Sequence, residues 1–241
     1  MSIEKLSQIL KESNSIVFFG GAGISTESGI PDFRSETGLY RTDSSLGYTP
    51  EVMLSHTFFM GHTRDFFKFY KEKMIYADAK PNSAHLALAK LEAMGKLKAV
   101  VTQNIDGLHN AAGSKNIYEL HGSIHRNYCT KCHTFYDLTF ILESDDIPEC
   151  PKCGGTVKPD VVLYEEGLDT DVINGAVNAI EHADTLIIGG TSLAVYPAAG
   201  LINYFKGKNL ILINKSSTPY DSKADLVIHD SIGKILDEAL K

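Results

Sequence analysis

Four cysteines stand as two C-x-x-C pairs, Cys129/Cys132 and Cys150/Cys153, with seventeen residues between the pairs. Two thiolates separated by two residues can share one tetrahedral ion, and a second such knuckle closes the site. Four sulfur ligands leave no open coordination position. The spacing therefore predicts one Zn2+ per chain in a structural role, outside the chemistry. Gly154-Gly155 behind the second pair suits a tight ribbon turn.

Other polar residues gather at glycine turns. Gly20-Gly21-Ala22-Gly23 follows a short apolar run and begins a G-x-G-x-x-G pattern in which position 26 is Thr. Alone, that match also fits an ordinary strand-to-helix turn. Gly189-Gly190-Thr191-Ser192 follows a second apolar run and Asn214 a third. Glycine-rich backbone can approach pyrophosphate, and Thr, Ser and Asn side chains can hydrogen-bond phosphate or ribose. Together these favour a dinucleotide, with Asn214 in place of the acidic residue that usually takes the ribose. Residues 102–109, Thr-Gln-Asn-Ile-Asp-Gly-Leu-His, form a third polar cluster directly after an apolar run. Asn-x-Asp-Gly is also good turn chemistry. His121-Gly122 lies shortly beyond and offers an imidazole that titrates near neutrality.

Strands must hold these groups. Runs at 15–19, 99–102, 185–188, 209–213 and 225–229 are short, apolar and β-leaning, as expected of strands buried on both faces. Helix-like stretches at 3–13, 64–76, 82–95, 170–182, 197–206 and 232–240 alternate with them; in the first, Ile3, Leu6, Ile9 and Leu10 share a face. The alternation predicts an α/β fold with a doubly wound, Rossmann-like parallel sheet. Residues 128–157 break the rhythm and hold every cysteine, so they read as an inserted small zinc-ribbon domain. The expected division is a large cofactor-binding domain of about 1–121 and 160–241, with a zinc module of about 122–159.

The 241 residues are 43% hydrophobic, enough for a sizeable core, and carry a net charge of −7. The acidic balance argues against a nucleic-acid partner, which needs clustered Lys and Arg. The amino terminus has no apolar signal region and no run approaches membrane-spanning length, so a cytoplasmic protein without a membrane partner is expected. A monomer is expected.

Taken together the motifs closely resemble those of the sirtuin family across nearly the whole chain. Gly21-Ala22-Gly23-Ile24-Ser25 resembles its GAGIS loop and Gly29-Ile30-Pro31-Asp32-Phe33-Arg34 its GIPDFR segment. Residues 102–109 match TQNIDxLH, His121-Gly122 the HG motif, and residues 190–199 GTSLxVxPAA. The resemblance implies removal of acyl groups from protein lysines, with NAD consumed to nicotinamide and O-acetyl-ADP-ribose. It implies that Asn104 and Asp106 hold the nicotinamide and ribose for cleavage, and that His121 is the general base for a ribose hydroxyl. The implied cofactor set is Gly21, Ala22, Gly23, Ser25, Thr26, Asp32, Phe33, Arg34, Tyr40, Gln103, Asn104, Ile105, Asp106, His121, Gly190, Thr191, Ser192, Asn214, Lys215 and Ile232. Within it, Gln103 would touch the ribose, Phe33 would shield the reactive carbon, and Asp32 and Arg34 would order the loop over the cofactor.

The partners implied are acetyl-lysine proteins or peptides, bound by strand addition along Val161, Val162, Leu163 and Tyr164 with Val195. The same stretch also reads as a strand of the domain junction without a peptide role. Glu165 stands where the family commonly has glycine, and could restrict backbone approach or add a negative charge that prefers basic peptides. Relatives that take succinyl or malonyl lysine carry Tyr-x-x-Arg. Here the region offers Tyr70-x-x-Lys73, expected on an ordinary exposed helix face, which leaves an apolar pocket suited to acetyl. Two other functions fit parts of the pattern: an NAD-dependent mono-ADP-ribosyltransferase, which would not need His121, and a zinc ribbon that binds nucleic acid, which the acidic charge disfavours.

Overall fold

The computed structural model describes residues 2–33, 38 and 47–241; Arg34 and Tyr40 lie outside the described residues. Its strands are β1 (Ile16–Gly20), β2 (Leu97–Thr102), β3 (Ile117–Glu119), β4 (Gly122–Cys129), β5 (Phe135–Tyr136), β6 (Val157–Val161), β7 (Thr185–Gly189), β8 (Asn209–Ile213) and β9 (Leu226–Ile228). The α-helices are α1 (Ser2–Glu12), α2 (Pro50–Met53), α3 (His56–Gly61), α4 (Thr63–Lys73), α5 (Ser83–Ala93), α6 (Leu108–Ala111), α7 (Leu138–Glu143), α8 (Thr170–Glu181) and α9 (Ile232–Ala239).

Six strands form one parallel sheet in the order β3-β2-β1-β7-β8-β9. The continuous apolar runs have a simple cause. Ile16 and Phe18 pack on one face with α1, α5 and α9, while Val17 and Phe19 pack on the other with α8. A strand covered on both sides has no polar face to alternate with. On α9, Ile232, Ile235, Leu236 and Ala239 are buried at helical spacing, and burying each large apolar side chain stabilises the fold by roughly 1.5–3 kcal/mol. The order of strands reverses between β1 and β7, which is where a doubly wound sheet opens a crevice at its carboxyl edge.

The stretch expected as a helix at 197–206 is instead a 3-10 helix, Ala198–Tyr204. Its buried residues recur every three, Ala198 with Leu201 and Ala199 with Ile202, which is the 3-10 repeat. The helix expected to reach 76 stops at Lys73. Helices α2 and α3 and strand β3 were not foreseen, because four, six and three residues are too few for a periodic pattern.

The second sheet is antiparallel, ordered β5-β4-β6. Strand β4 starts one residue after His121 and ends at Cys129, while β6 starts four residues after Cys153 and ends at Val161. Its core, including Cys129, Cys150 and Val157, is continuous with Phe58, Phe66 and Tyr70 from α3 and α4. No helix among the described residues is long and apolar enough to cross a membrane.

Candidate active site

The ends of β1 and β7 face each other, Gly20 opposite Gly189. Beyond them the two loops meet backbone to backbone: Gly23 N–H donates to the Gly190 carbonyl at 2.7 Å. Gly190 has φ +60, and a Cβ there would stand 2.3 Å from the Ile24 nitrogen. Only glycine meets both demands. The start of α5 braces this loop from below, since Asn82 Nδ2 donates to the Ile24 carbonyl (2.8 Å) and to Ser28 Oγ (2.9 Å).

Ser25 is buried at the centre of a polar network. Its hydroxyl donates to Asp106 Oδ2 at 2.6 Å and accepts from Asn104 Nδ2 at 3.0 Å. Asp106 Oδ1 accepts the Leu108 N–H at 2.9 Å, with Gly107 in the left-handed region at φ +71. The 102–109 segment is thus a side-chain-closed turn that also turns Asn104 and Asp106 toward the loop after β1. Gln103 Nε2 donates to Thr191 Oγ1 at 3.1 Å, which joins the β2 and β7 loops.

His121 sits between β3 and β4. Its Nδ1 lies 2.8 Å from the Gln103 carbonyl. A carbonyl can only accept, so Nδ1 carries the proton and Nε2 keeps its lone pair. Burial pushes the imidazole below its ordinary value of 6.5, and the bond to Gln103 partly offsets this. Two neighbours fix the position. Gly122, at φ +75, has no room for a Cβ against the Asp160 carbonyl. Arg126 donates to Glu119 (2.6 Å) and to Asp160 (2.8 Å), tying β3 to the β4–β6 ladder.

The segment after β6 passes close by. Val162 N–H donates to the His121 carbonyl (3.0 Å), Tyr164 N–H to the Leu54 carbonyl (3.0 Å), and Leu163 N–H to the Glu166 carboxylate (2.9 Å). These bonds occupy three successive N–H groups, so pairing an added strand to Leu163 N–H requires Glu166 to release it. Glu165 takes φ +77, the conformation that favours glycine. Its Oε2 accepts from the Thr57 N–H (2.8 Å) and hydroxyl (2.7 Å), which holds its carboxyl below the usual range and turns the side chain to the first turn of α3.

One cavity of about 770 Å³ joins these parts, a size suited to a cofactor. It is lined by Gly21, Ala22, Gly23, Ser25 and Thr26 from the first loop, Asp32 and Phe33 beyond it, and Gln103, Asn104, Ile105 and Asp106 after β2. His121, Val161, Val162, Leu163, Tyr164, Gly190, Thr191, Ser192, Val195, Asn214, Lys215 and Ile232 line it too, so every residue of the set taken from the sequence borders it except Arg34 and Tyr40, which lie outside the described residues. Ser216, Ser217 and Asp230 were missed there. They follow β8 and β9, and the rule that ligands lie beyond strand carboxyl ends would have found them.

Tyr70 and Lys73 correct an expectation. Tyr70 is fully buried, stacked on Phe66 at 5.6 Å and 11°, because α4 turns Phe66, Phe67, Phe69 and Tyr70 into the core. Lys73, one turn further on, borders the cavity and pairs with Glu72 at 2.8 Å.

The four cysteine sulfurs lie within 4.8 Å of one another, with Cys129–Cys153 at 3.4 Å and Cys132–Cys150 at 3.6 Å. A tetrahedral ion with bonds of about 2.3 Å would set its sulfurs about 3.8 Å apart, so the donor set and its spacing fit zinc.

A family model described as Sir2 family matches residues 21–197. The NAD-dependent protein deacetylases of Clostridium acetobutylicum and Clostridium perfringens are each 69% identical to this chain over 239 residues, 99% of this chain and 98% of theirs. A solved structure from work on the mechanism and regulation of Sir2 enzymes superposes with a TM-score of 0.89 at 42% identity, covering 99% of this chain and 96% of that one. A Sir2 complex with a deacetylated p53 peptide and 3'-O-acetyl ADP-ribose gives 0.91 at 38% identity, covering 100% and 98%.

Proposed function

The chain belongs to the Sir2 family, and from that premise we propose that it removes acetyl groups from protein lysine side chains at the expense of NAD, giving nicotinamide and O-acetyl-ADP-ribose. The observation that carries this is the cavity at the sheet's carboxyl edge, which brings the lone pair of His121 Nε2, the Ser25–Asn104–Asp106 network and the 161–164 segment to one space. NAD, when bound, supplies the ribose that receives the acetyl group and the nicotinamide that leaves.

The glycine loops at 21–23 and 190–192 hold pyrophosphate, because their backbone can approach it and Thr191 and Ser192 offer hydroxyls. Asn214, Lys215 and Ile232 take the adenosine end. Asn104 and Asp106, already oriented by Ser25, hold the nicotinamide amide and ribose. Phe33 walls the reacting carbon from water. Arg34 belongs to the cofactor set by its place in the GIPDFR-like segment, and Tyr40 by the family resemblance alone. His121 Nε2 accepts the proton of a ribose hydroxyl, and the Gln103 carbonyl stabilises the resulting imidazolium through Nδ1–H. The acetyl-lysine peptide lies between residues 161–164 and Val195. Zinc on Cys129, Cys132, Cys150 and Cys153 is structural. Residues of about 122–159 form the zinc module and the remainder the cofactor domain. The protein works as a cytoplasmic monomer.

The test is His121→Ala. Deacetylation should fall by roughly two to four orders of magnitude, while NAD and peptide binding, measured by calorimetry, stay near wild type. Near-wild-type turnover of an acetylated peptide would refute the role.

A further inference from the structure

Four thiolates around a doubly charged ion leave excess negative charge on sulfur, which hydrogen-bond donors must relieve. Lys131 N–H donates to Cys129 Sγ at 3.4 Å, and the Thr134 hydroxyl lies 3.3 Å from Cys132 Sγ. Cys150 is buried, and the Tyr136 phenol oxygen lies 3.0 Å from its Sγ. A zinc-bound thiolate has no proton to give, so the phenol is the donor.

Tyr136 is held for this task from several sides. Its ring stacks on Phe140 of α7 at 4.2 Å and 30°. Its backbone pairs with Asn127 of β4, and the fully buried Asn127 Nδ2 donates to the Tyr136 carbonyl at 3.3 Å. The same β4 begins beside His121 and ends at Cys129, and it pairs with β6, which ends where the proposed peptide segment begins. One short ladder therefore ties the metal to the base and to the peptide segment.

We propose that Tyr136 is a positioning residue for the zinc site: its hydroxyl donates to the Cys150 thiolate and sets how firmly the metal is retained, and so how firmly the β4–β6 ladder holds the cleft. This rests on the zinc reading of the four cysteines.

The test uses the full-length, zinc-loaded protein and Tyr136→Phe, which keeps the ring on Phe140 and removes only the hydroxyl. Zinc release to excess 4-(2-pyridylazo)resorcinol, read by absorbance, should quicken about 10-fold, the lower end of the usual cost of losing such a partner. Tyr128→Phe, an exposed tyrosine of the same sheet, should release zinc as wild type does. In cobalt-loaded protein the sulfur-to-metal charge-transfer band should move to lower energy in Tyr136→Phe alone, because the bond that stabilises the sulfur lone pair is gone. Equal release and an unmoved band in folded Tyr136→Phe would overturn the proposal. Should that variant fail to fold, 3-fluorotyrosine at position 136, a stronger donor of nearly the same shape, must slow release; unchanged or faster release overturns the idea. A wild type that binds no zinc would overturn the metal assignment and this proposal with it.

Discussion

His85 and His109 are buried behind the loop that carries Asn104 and Asp106, with ring centroids 4.8 Å apart. His85 Nε2 and both ring nitrogens of His109 have no hydrogen-bond partner among the described residues. Burial drives both imidazoles to the neutral form, His85 to about 4 against the pull of Asp106 and Glu27, and His109, pressed further by His85, to about 3. In the unfolded chain they titrate near 6.5. Below that pH the unfolded state takes up protons that the folded state declines. Their stability is fully present above about 6.5 and drains as the pH falls toward the folded values. Each group costs about 1.36 kcal/mol per pH unit in that window, so the drop from 6.5 to 5 costs about 2 kcal/mol per imidazole (1.5 × 1.36). His109→Phe keeps a ring in the space and removes one titration. Urea unfolding of the zinc-loaded proteins at pH 7 and pH 5 should show the variant losing about 2 kcal/mol less than wild type. Equal losses would refute the assignment of a neutral, proton-refusing pair.

The rate–pH profile should have its acid limb below 6.5, because burial lowers His121 and only its neutral form can take a proton; a limb above 7 in kcat/KM would contradict that. Cys129→Ala should lower zinc content, melting temperature and activity together, because metal binding and folding are coupled; a zinc-free variant melting like wild type would refute it. Acetyl peptides should exceed matched succinyl peptides in kcat/KM by a wide margin, because Lys73, which borders the cavity, is a partly exposed, flexible ammonium without the planar fork that grips a carboxylate in two places. Any residual desuccinylation should vanish in Lys73→Met while deacetylation persists, and a succinyl value at or above the acetyl one would overturn the preference.

Much of this was legible because the motifs are local. A strand buried on both faces shows as an apolar run, and the polar residues just past its end show as a cluster, so the β1, β2, β7 and β8 loops could be placed from residue order alone. The cysteine spacing did the same for the zinc module. Contacts between distant segments were not legible. Nothing near Ser25 says that its hydroxyl will meet Asp106, 81 residues away. Nor does the Glu165 segment announce Thr57 as its anchor. Tyr70 was misplaced because α4 buries all four of its aromatics, at 66, 67, 69 and 70, and so wide an apolar face makes sense only once the small module is seen to cover it. Tyr136 carried no signal at all, since a tyrosine four residues past a cysteine matches no ligand pattern.

Stoichiometry shows whether loss of the acetyl group is coupled to cleavage of NAD. Wild-type protein is mixed with NAD and an acetyl-lysine peptide, and all products are followed by mass spectrometry. One nicotinamide and one O-acetyl-ADP-ribose should form for each acetyl group lost from the peptide, with no turnover without NAD. Acetyl loss without NAD consumption, or NAD consumption that leaves the acetyl in place and adds ADP-ribose to protein, would contradict it.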